Sequence, residues 1–388
     1  MSLTELWKSA RKDLEEKHIQ QIISFAGSGR LLDDSDASNE FRSFLSQIPS
    51  YLLQGYATQC LEAKFEDKGL ALQDIVNEVG VRLGFNVERG RYRGTPAGRG
   101  FDGAWSFPSD SRAIIVEVKT SDLYRISLDT LVSYRREVQT TKEMSEDTLS
   151  VLIVVGSGDT TGLEAQIRGS RYAWDIRLIS VDALFRLLRL KEEAEDPTLL
   201  QRIQRILIPR EFTRLDEIIE VAFAAAQDVK TEEAEEGADE AAGTKKPKFI
   251  PVKFHDECIK RVQTHLNQPL VKKTRSIYSS PDGALLVCCM VSREHGSEGT
   301  GTYWFAFHPH QKESLSAARE SYVALGCGSE ERILLVPTSD VLSWLEGLNT
   351  TTRDDRSYWH ISVFEEDGQF TLHRKKGFER IPLTKYLI

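Results

Sequence analysis

Residues 100–120, GFDGAWSFPSDSRAIIVEVKT, hold an acid that opens one apolar segment and an acid and a base, two positions apart, that close the next: Asp102, Glu117 and Lys119. Side chains alternate along a strand, so Ile115, Glu117 and Lys119 of AIIVEVKT share one face while Ile114, Val116 and Val118 share the other. The turn-rich FPSDSR between the two segments predicts an antiparallel hairpin that brings Asp102 to the same end as Glu117 and Lys119. Two carboxylates held close repel unless a cation joins them, and hard oxygen ligands suit Mg²⁺, with Mn²⁺ as a substitute. A neighbouring ammonium can orient or help deprotonate an attacking water and stabilise charge on a phosphate, which is what metal-assisted phosphodiester hydrolysis requires. Exposed edge strands also alternate Glu and Lys for solubility. Here the first four residues of AIIVEVKT are all apolar, which predicts a central strand instead.

The surrounding pattern is that of an α/β chain with a central mixed sheet flanked by helices. A helix over 66–83 precedes a strand FNVERGRYR, the hairpin, a helix ISLDTLVSYRREV, a strand LSVLIVV, a helix over 162–174, a strand IRLISV and a helix over 181–193. Helices over 3–25, 38–47 and 50–64 come before it. The resulting division is an N-terminal helical region (1–64), the α/β domain (65–192), a helical extension (193–229), an acidic linker (230–248) and an α+β domain (249–388). The linker assignment rests on TEEAEEGADE followed by AAGTKKPK, which lacks hydrophobic periodicity.

An acid beginning one strand and (D/E)-x-K on the next, as Asp102, Glu117 and Lys119 stand here, resembles the P-D-(D/E)-x-K nucleases of the restriction-endonuclease-like fold. The resemblance covers about residues 60–192 and departs in having Phe101 where the motif name has Pro. It implies a Mg²⁺-dependent endonuclease of restriction or antiphage defence, acting on DNA as a homodimer, with a companion methyltransferase or other defence-system subunits as partners. It assigns the metal to Asp102, Glu117 and Val118, and water positioning to Lys119. The family also draws a polar residue from the preceding helix. There Gln73 borders the apolar stripe of Leu72, Ile75, Val76, Val79 and Leu83 and best matches that position; Asp74 and Glu78 point away from the stripe and are expected to be solvated. The same three residues would serve a nuclease for RNA or branched DNA, and the fold could also persist as a non-catalytic binding module.

Arg89, Arg91 and Arg93 recur at period two, so a strand would aim them to one face as phosphate contacts; Arg99 follows in the Gly-rich turn, and Tyr134 lies on the helix that borders the site in the family. GSGDTTG (156–162) lacks the spacing of a phosphate loop and reads as an ordinary strand-to-helix turn. Seven of the eight histidines follow residue 250, and YWFAFHPHQ and SYWHISV concentrate aromatics, which suits a domain that recognises the target by stacking on bases. A metal site at His308 and His310 has no supporting Cys or acid spacing.

The formal net charge of -9 does not exclude a polyanionic partner, because the segment 231–240 alone carries six acids and no base. Five scattered cysteines without a C-x-x-C pair argue against a disulfide framework or zinc knuckle. No apolar run reaches membrane-spanning length, and the charged amphipathic N-terminus is unlike a signal peptide, so a cytoplasmic location is expected.

Overall fold

The computed structural model describes residues 2–93, 100–108, 111–120, 127–142, 145, 148–156, 160–194, 198–208, 251–294, 300–353 and 356–388. Its chain divides into two units, Met1–Glu235 and Glu236–Ile388. The linker 230–248 and the part of the helical extension beyond residue 208 lie outside the described residues. Both units mix helices with sheets, so the chain is α/β in class.

In the first unit the strands β1 (Asn86–Arg89), β2 (Gly103–Ser106), β3 (Ala113–Lys119), β4 (Leu149–Val155) and β5 (Ile176–Ser180) hydrogen-bond in that order. The first three form an antiparallel meander, and β4 and β5 continue it in parallel. Strand β3 is central and β4 is buried at every position, as continuous apolar runs covered on both faces require. Helices α1 (Leu3–Ser9), α2 (Arg11–Glu15), α3 (Ile19–Phe25), α4 (Asp36–Leu45) and α5 (Ser50–Glu62) lead to α6 (Lys68–Arg82). After β3 come α7 (Leu128–Lys142), α8 (Thr161–Arg168), α9 (Val181–Glu193) and α10 (Thr198–Ile206).

The two faces of β3 are told apart by their partners. Ile114, Val116 and Val118 pack with α6, α9 and the N-terminal helices, whereas Ala113 and Ile115 pack with α7 and α8. The alternation therefore puts Glu117 and Lys119 on the α7 side.

The single helix expected over 3–25 is three. Ser9 turns its hydroxyl back onto the carbonyls of Glu5 and Leu6 and Ala10 leaves helical geometry, closing α1. The helix expected over 162–174 stops at Arg168 with Gly169 as its cap.

In the second unit, α11 (Pro251–Leu266) is followed by β6 (Val271–Lys272), β7 (Ile277–Ser279), β8 (Leu285–Ser292), β9 (Thr300–Phe307), α12 (Pro309–Ser316), β10 (Glu320–Cys327), β11 (Ile333–Pro337) and α13 (Thr338–Trp344). The strands β12 (Thr350–Arg353), β13 (Arg356–Glu366), β14 (Gln369–His373) and β15 (Ile381–Pro382) complete it. One sheet runs β11-β10-β8-β7-β6; the other runs β12-β13-β14-β15 with β9 also on β13. A shared core of Tyr303, Phe305, Phe307, Val323, Leu325, Ile361 and Val363 joins them, and α11 covers the far side of the first sheet. EDGQ makes the β13–β14 turn with Asp367 and Gly368 both at positive φ, the backbone a two-residue hairpin needs. Residues 312–324, where the sequence alone predicts one helix, instead end α12 and begin β10, because SYVALGC pairs in parallel with β8. Among the described residues no helix is long and apolar enough to cross a membrane.

Candidate active site

The position of Asp102 comes from an irregularity in the hairpin. Gly103 pairs with Val116, yet the Asp102 amide also donates to the Val116 carbonyl at 3.1 Å, so two residues of one strand face one of the other. This is a β-bulge, the device that re-aims side chains beside functional sites. Its effect is visible in the packing: Phe101 and Trp105, four apart, would share a face of an unbroken strand, but Phe101 packs with α7 and Trp105 against α6. Continuing the register would set Phe101 opposite Val118. Instead the Val118 amide donates to Asp102 Oδ2 at 2.6 Å, so the carboxylate takes the place of a ladder carbonyl and is fixed beside Glu117.

Helix α6 holds the backbone of the bulge from below. Gln73 Nε2 donates to the Asp102 carbonyl at 3.1 Å, Asn77 Nδ2 at 2.9 Å and the Gly90 amide at 3.0 Å. Asn77 Oδ1 accepts from Trp105 Nε1 at 3.0 Å, and because an indole can only donate, this fixes the orientation of the amide. Gly103 makes the approach of Asn77 possible, since a Cβ there would overlap the Asn77 amide oxygen. Sequence reasoning missed Asn77. Its signal was the i, i+4 spacing from Gln73, which puts both amides on one helix face.

Glu117 is 7% exposed and its Oε1 lies 2.6 Å from Lys119 Nζ. Its other oxygen, Oε2, is buried and has no hydrogen-bond partner among the described residues. Burial and the neighbouring Glu117 push the Asp102 carboxyl up to about 7, against the pull of the Val118 amide and Lys119. Burial also raises Glu117, with Lys119 opposing. Tyr134, on α7, belongs to the same neighbourhood: a Cβ on Gly100 would lie 2.5 Å from its hydroxyl. Burial first, and then the charge of Glu117, raises that phenol. Asp102, Glu117, Lys119, Val118, Gln73 and Tyr134 are thus brought together.

The arginine row is not. Strand β1 ends at Arg89, so the period-two alternation does not extend to Arg91 and Arg93. Arg89 turns onto Glu78 Oε2 at 3.2 Å, and Arg91 pairs with Asp33 and Asp34 at 3.7 and 3.5 Å. Arg93 is exposed, with its amide on Asp33, and Arg99 lies outside the described residues.

The expectation that Asp74 and Glu78 are solvated is corrected: they are 0% and 3% exposed. The N-terminal helices cover the polar side of α6, and the acids survive burial by pairing. Asp74 takes Arg42 Nε at 2.9 Å and the Tyr92 hydroxyl, while Glu78 accepts from Arg82 Nε at 3.2 Å as well as from Arg89. Arg82 also donates to Ser50 Oγ and to the Leu45 and Ile48 carbonyls.

No group of three or more His, Cys, Asp and Glu side chains able to hold a metal occurs among the described residues, so the candidate site offers two carboxylates. That donor set fits a hard ion which keeps most of its waters, and the unpartnered Glu117 Oε2 together with the raised Asp102 supplies the unmet demand for positive charge. His308 and His310 stack on each other and belong to no group of three such side chains among the described residues. Compared with known proteins, the chain matches no family model and no curated protein.

Proposed function

We propose that the first unit is a metal-dependent endonuclease that hydrolyses phosphodiester bonds of DNA on a restriction-endonuclease-like P-D-(D/E)-x-K core. The observation that supports it most directly is the unpartnered, buried Oε2 of Glu117 beside Asp102 and Lys119 at one end of the central strand β3. The strand order agrees with that core: an antiparallel meander, a helix, then parallel strands. Asp102, Glu117 and Val118 would hold Mg²⁺, which supplies charge neutralisation for the phosphate and makes water more acidic.

The protein's own groups do the rest. Lys119 holds its ammonium at the Glu117 carboxylate, where it can orient an attacking water, and the Val118 amide keeps Asp102 ionisable against its burial. Gln73 and Asn77 act through the backbone, as positioning residues. Tyr134 presents a hydroxyl next to the same charges. Water would attack phosphorus and the bond to the 3′ oxygen would break, leaving a 5′ phosphate. By resemblance the proposal extends to restriction or antiphage defence, to a homodimer where both strands are cut, and to a cytoplasmic setting with a companion methyltransferase or defence subunits.

The test is cleavage of plasmid, methylated DNA, branched DNA and RNA with Mg²⁺ by wild type, Asp102→Asn and Lys119→Ala. Cleavage that depends on both residues is expected. Undiminished cleavage by both variants would discard the site, and absence of any Glu117-dependent Mg²⁺ or Mn²⁺ binding would make the unit a non-catalytic module.

A further inference from the structure

We propose that the outward face of the second sheet of the C-terminal unit binds unpaired bases of a nucleic-acid strand, with Trp304 as the principal stacking platform. Nucleic acid as the occupant rests on the hydrolase reading of the first unit; the face itself stands on its own geometry.

Along β9 and β13, burial alternates. Tyr303, Phe305, Phe307, Ile361 and Val363 point into the core, whereas Trp304, Ala306, Tyr358, His360 and Ser362 are left on the open side. Ser362 pairs with Trp304 on one flank and His373 on the other, so a small residue floors a gap between two rings. The rings are held before any ligand arrives. Trp304 Nε1 donates to His360 Nδ1 at 3.0 Å, and His360 Nε2 is 2.6 Å from Thr351 Oγ1. An indole only donates, so Nδ1 is the acceptor and Nε2 carries the proton, fixing one neutral tautomer. Trp304 nevertheless keeps 39% of its surface exposed, the largest exposure of any residue of β9 and β13 among the exposed large hydrophobics. Phe364 stacks on His373, and Tyr358 contacts both Trp304 and His360.

A face that docked another protein's apolar surface would carry aliphatic side chains. Among the described residues, the outward positions of β9, β13 and β14 hold no Leu, Ile or Val; they hold aromatics, imidazoles and small polar residues, with Glu366 and Gln369 at the far end beside the β13–β14 turn. Such a surface offers ring faces that any base can stack on, with little buried apolar area to gain otherwise. The chain then supplies charge of the right sign: directly after His373, residues 374–380 carry Arg374, Lys375, Lys376 and Arg380 against the single acid Glu379. A strand with bases on the rings could run its phosphates toward that basic run.

The test measures anisotropy of labelled single-stranded DNA and RNA 20-mers with the full chain, in EDTA and on an Asp102→Asn background, with thermal melts to verify folding of each variant. Binding is expected to weaken about tenfold or more on Trp304→Ala and to be largely kept on Trp304→Phe, which retains a ring but no N–H. Failure of the parent to bind single strands, a preference for blunt duplex, or equal binding by a folded Trp304→Ala/Tyr358→Ala chain each overturns the proposal. Because hydrolysis is disabled throughout, Trp304-dependent binding in a protein that proves unable to cleave would sink the hydrolase reading alone. Cleavage without such binding sinks this proposal alone.

Discussion

At Asp102, a proton and the proposed divalent cation would compete for the same oxygens. The group ionises near pH 3.8 in an unfolded chain and at about 7 in the fold, so folding favours its protonated form. The stability this contributes is complete below about pH 4 and is lost as pH rises through about 7. Without metal, therefore, the first unit should melt at lower temperature at pH 8 than at pH 5.5, and Asp102→Asn should raise the melting temperature at pH 8 by about 2–4 °C for each kcal/mol of relief. The asparagine can still accept from Val118, so the hairpin is kept. If Mg²⁺ is held here it would displace protons from this pair, and its affinity by calorimetry should climb from pH 5.5 to pH 8; a flat profile would count against ligation by Asp102 and Glu117. Removing the ammonium by Lys119→Ala takes away the opposing charge at Glu117 and should move that climb to higher pH.

Helix α6 reaches the site through a contact that only a glycine allows. Gly103→Ala places a methyl group on the Asn77 amide, and destabilisation of about 2–4 kcal/mol in urea unfolding is expected. Asn77→Ala leaves the buried Trp105 N–H without its acceptor, at about 1–3 kcal/mol, and frees the Asp102 backbone; kcat should fall while KM changes little. If Gly103→Ala costs as much on an Asn77→Ala background as alone, the clash is not its cause. The same helix shows what the sequence can and cannot disclose. Its apolar stripe, the central strand β3 and the face shared by Glu117 and Lys119 follow from periodicity alone, since periodicity records what each element buries locally. Arg82 sits four residues after Glu78 within α6, but the burial of Asp74 and Glu78 also depends on Arg42 and on a layer of helices that precedes α6 in the chain, which no window around α6 contains. Arg89 and Arg91 were legible as a charged row but not as ion-paired, because their acids are supplied by α6 and by Asp33 and Asp34. Asn77 was passed over since its one signal, the i, i+4 spacing from Gln73, gains meaning only from the bulge that both amides hold.

Across the whole chain the two units meet in sequence at Glu235 and Glu236, inside the acidic stretch whose composition cannot build a core. Limited digestion with a Glu-specific protease should cut within 231–240 before anywhere else and leave two fragments that melt independently; an initial cut within α6 or β13 would contradict that division. A linker of the kind this composition predicts would take added residues at little thermodynamic expense, since loop-closure entropy grows slowly with length. The bulge at Asp102 obeys the opposite rule. Between Phe101 and Trp105 the chain changes faces by carrying one residue more than its partner strand, so what is specified there is a parity. Deleting Gly103 would close the bulge into an even ladder and leave Phe101 on the α7 side, three positions from Trp105, but it would remove the extra residue that aims Asp102 at the Val118 amide. Substitution scans would record the chemistry of Asp102 while remaining blind to this. A scan of single-residue deletions would separate the two, because a deletion at the bulge keeps the faces and loses the site, whereas one elsewhere in β2 turns every side chain beyond it to the other face.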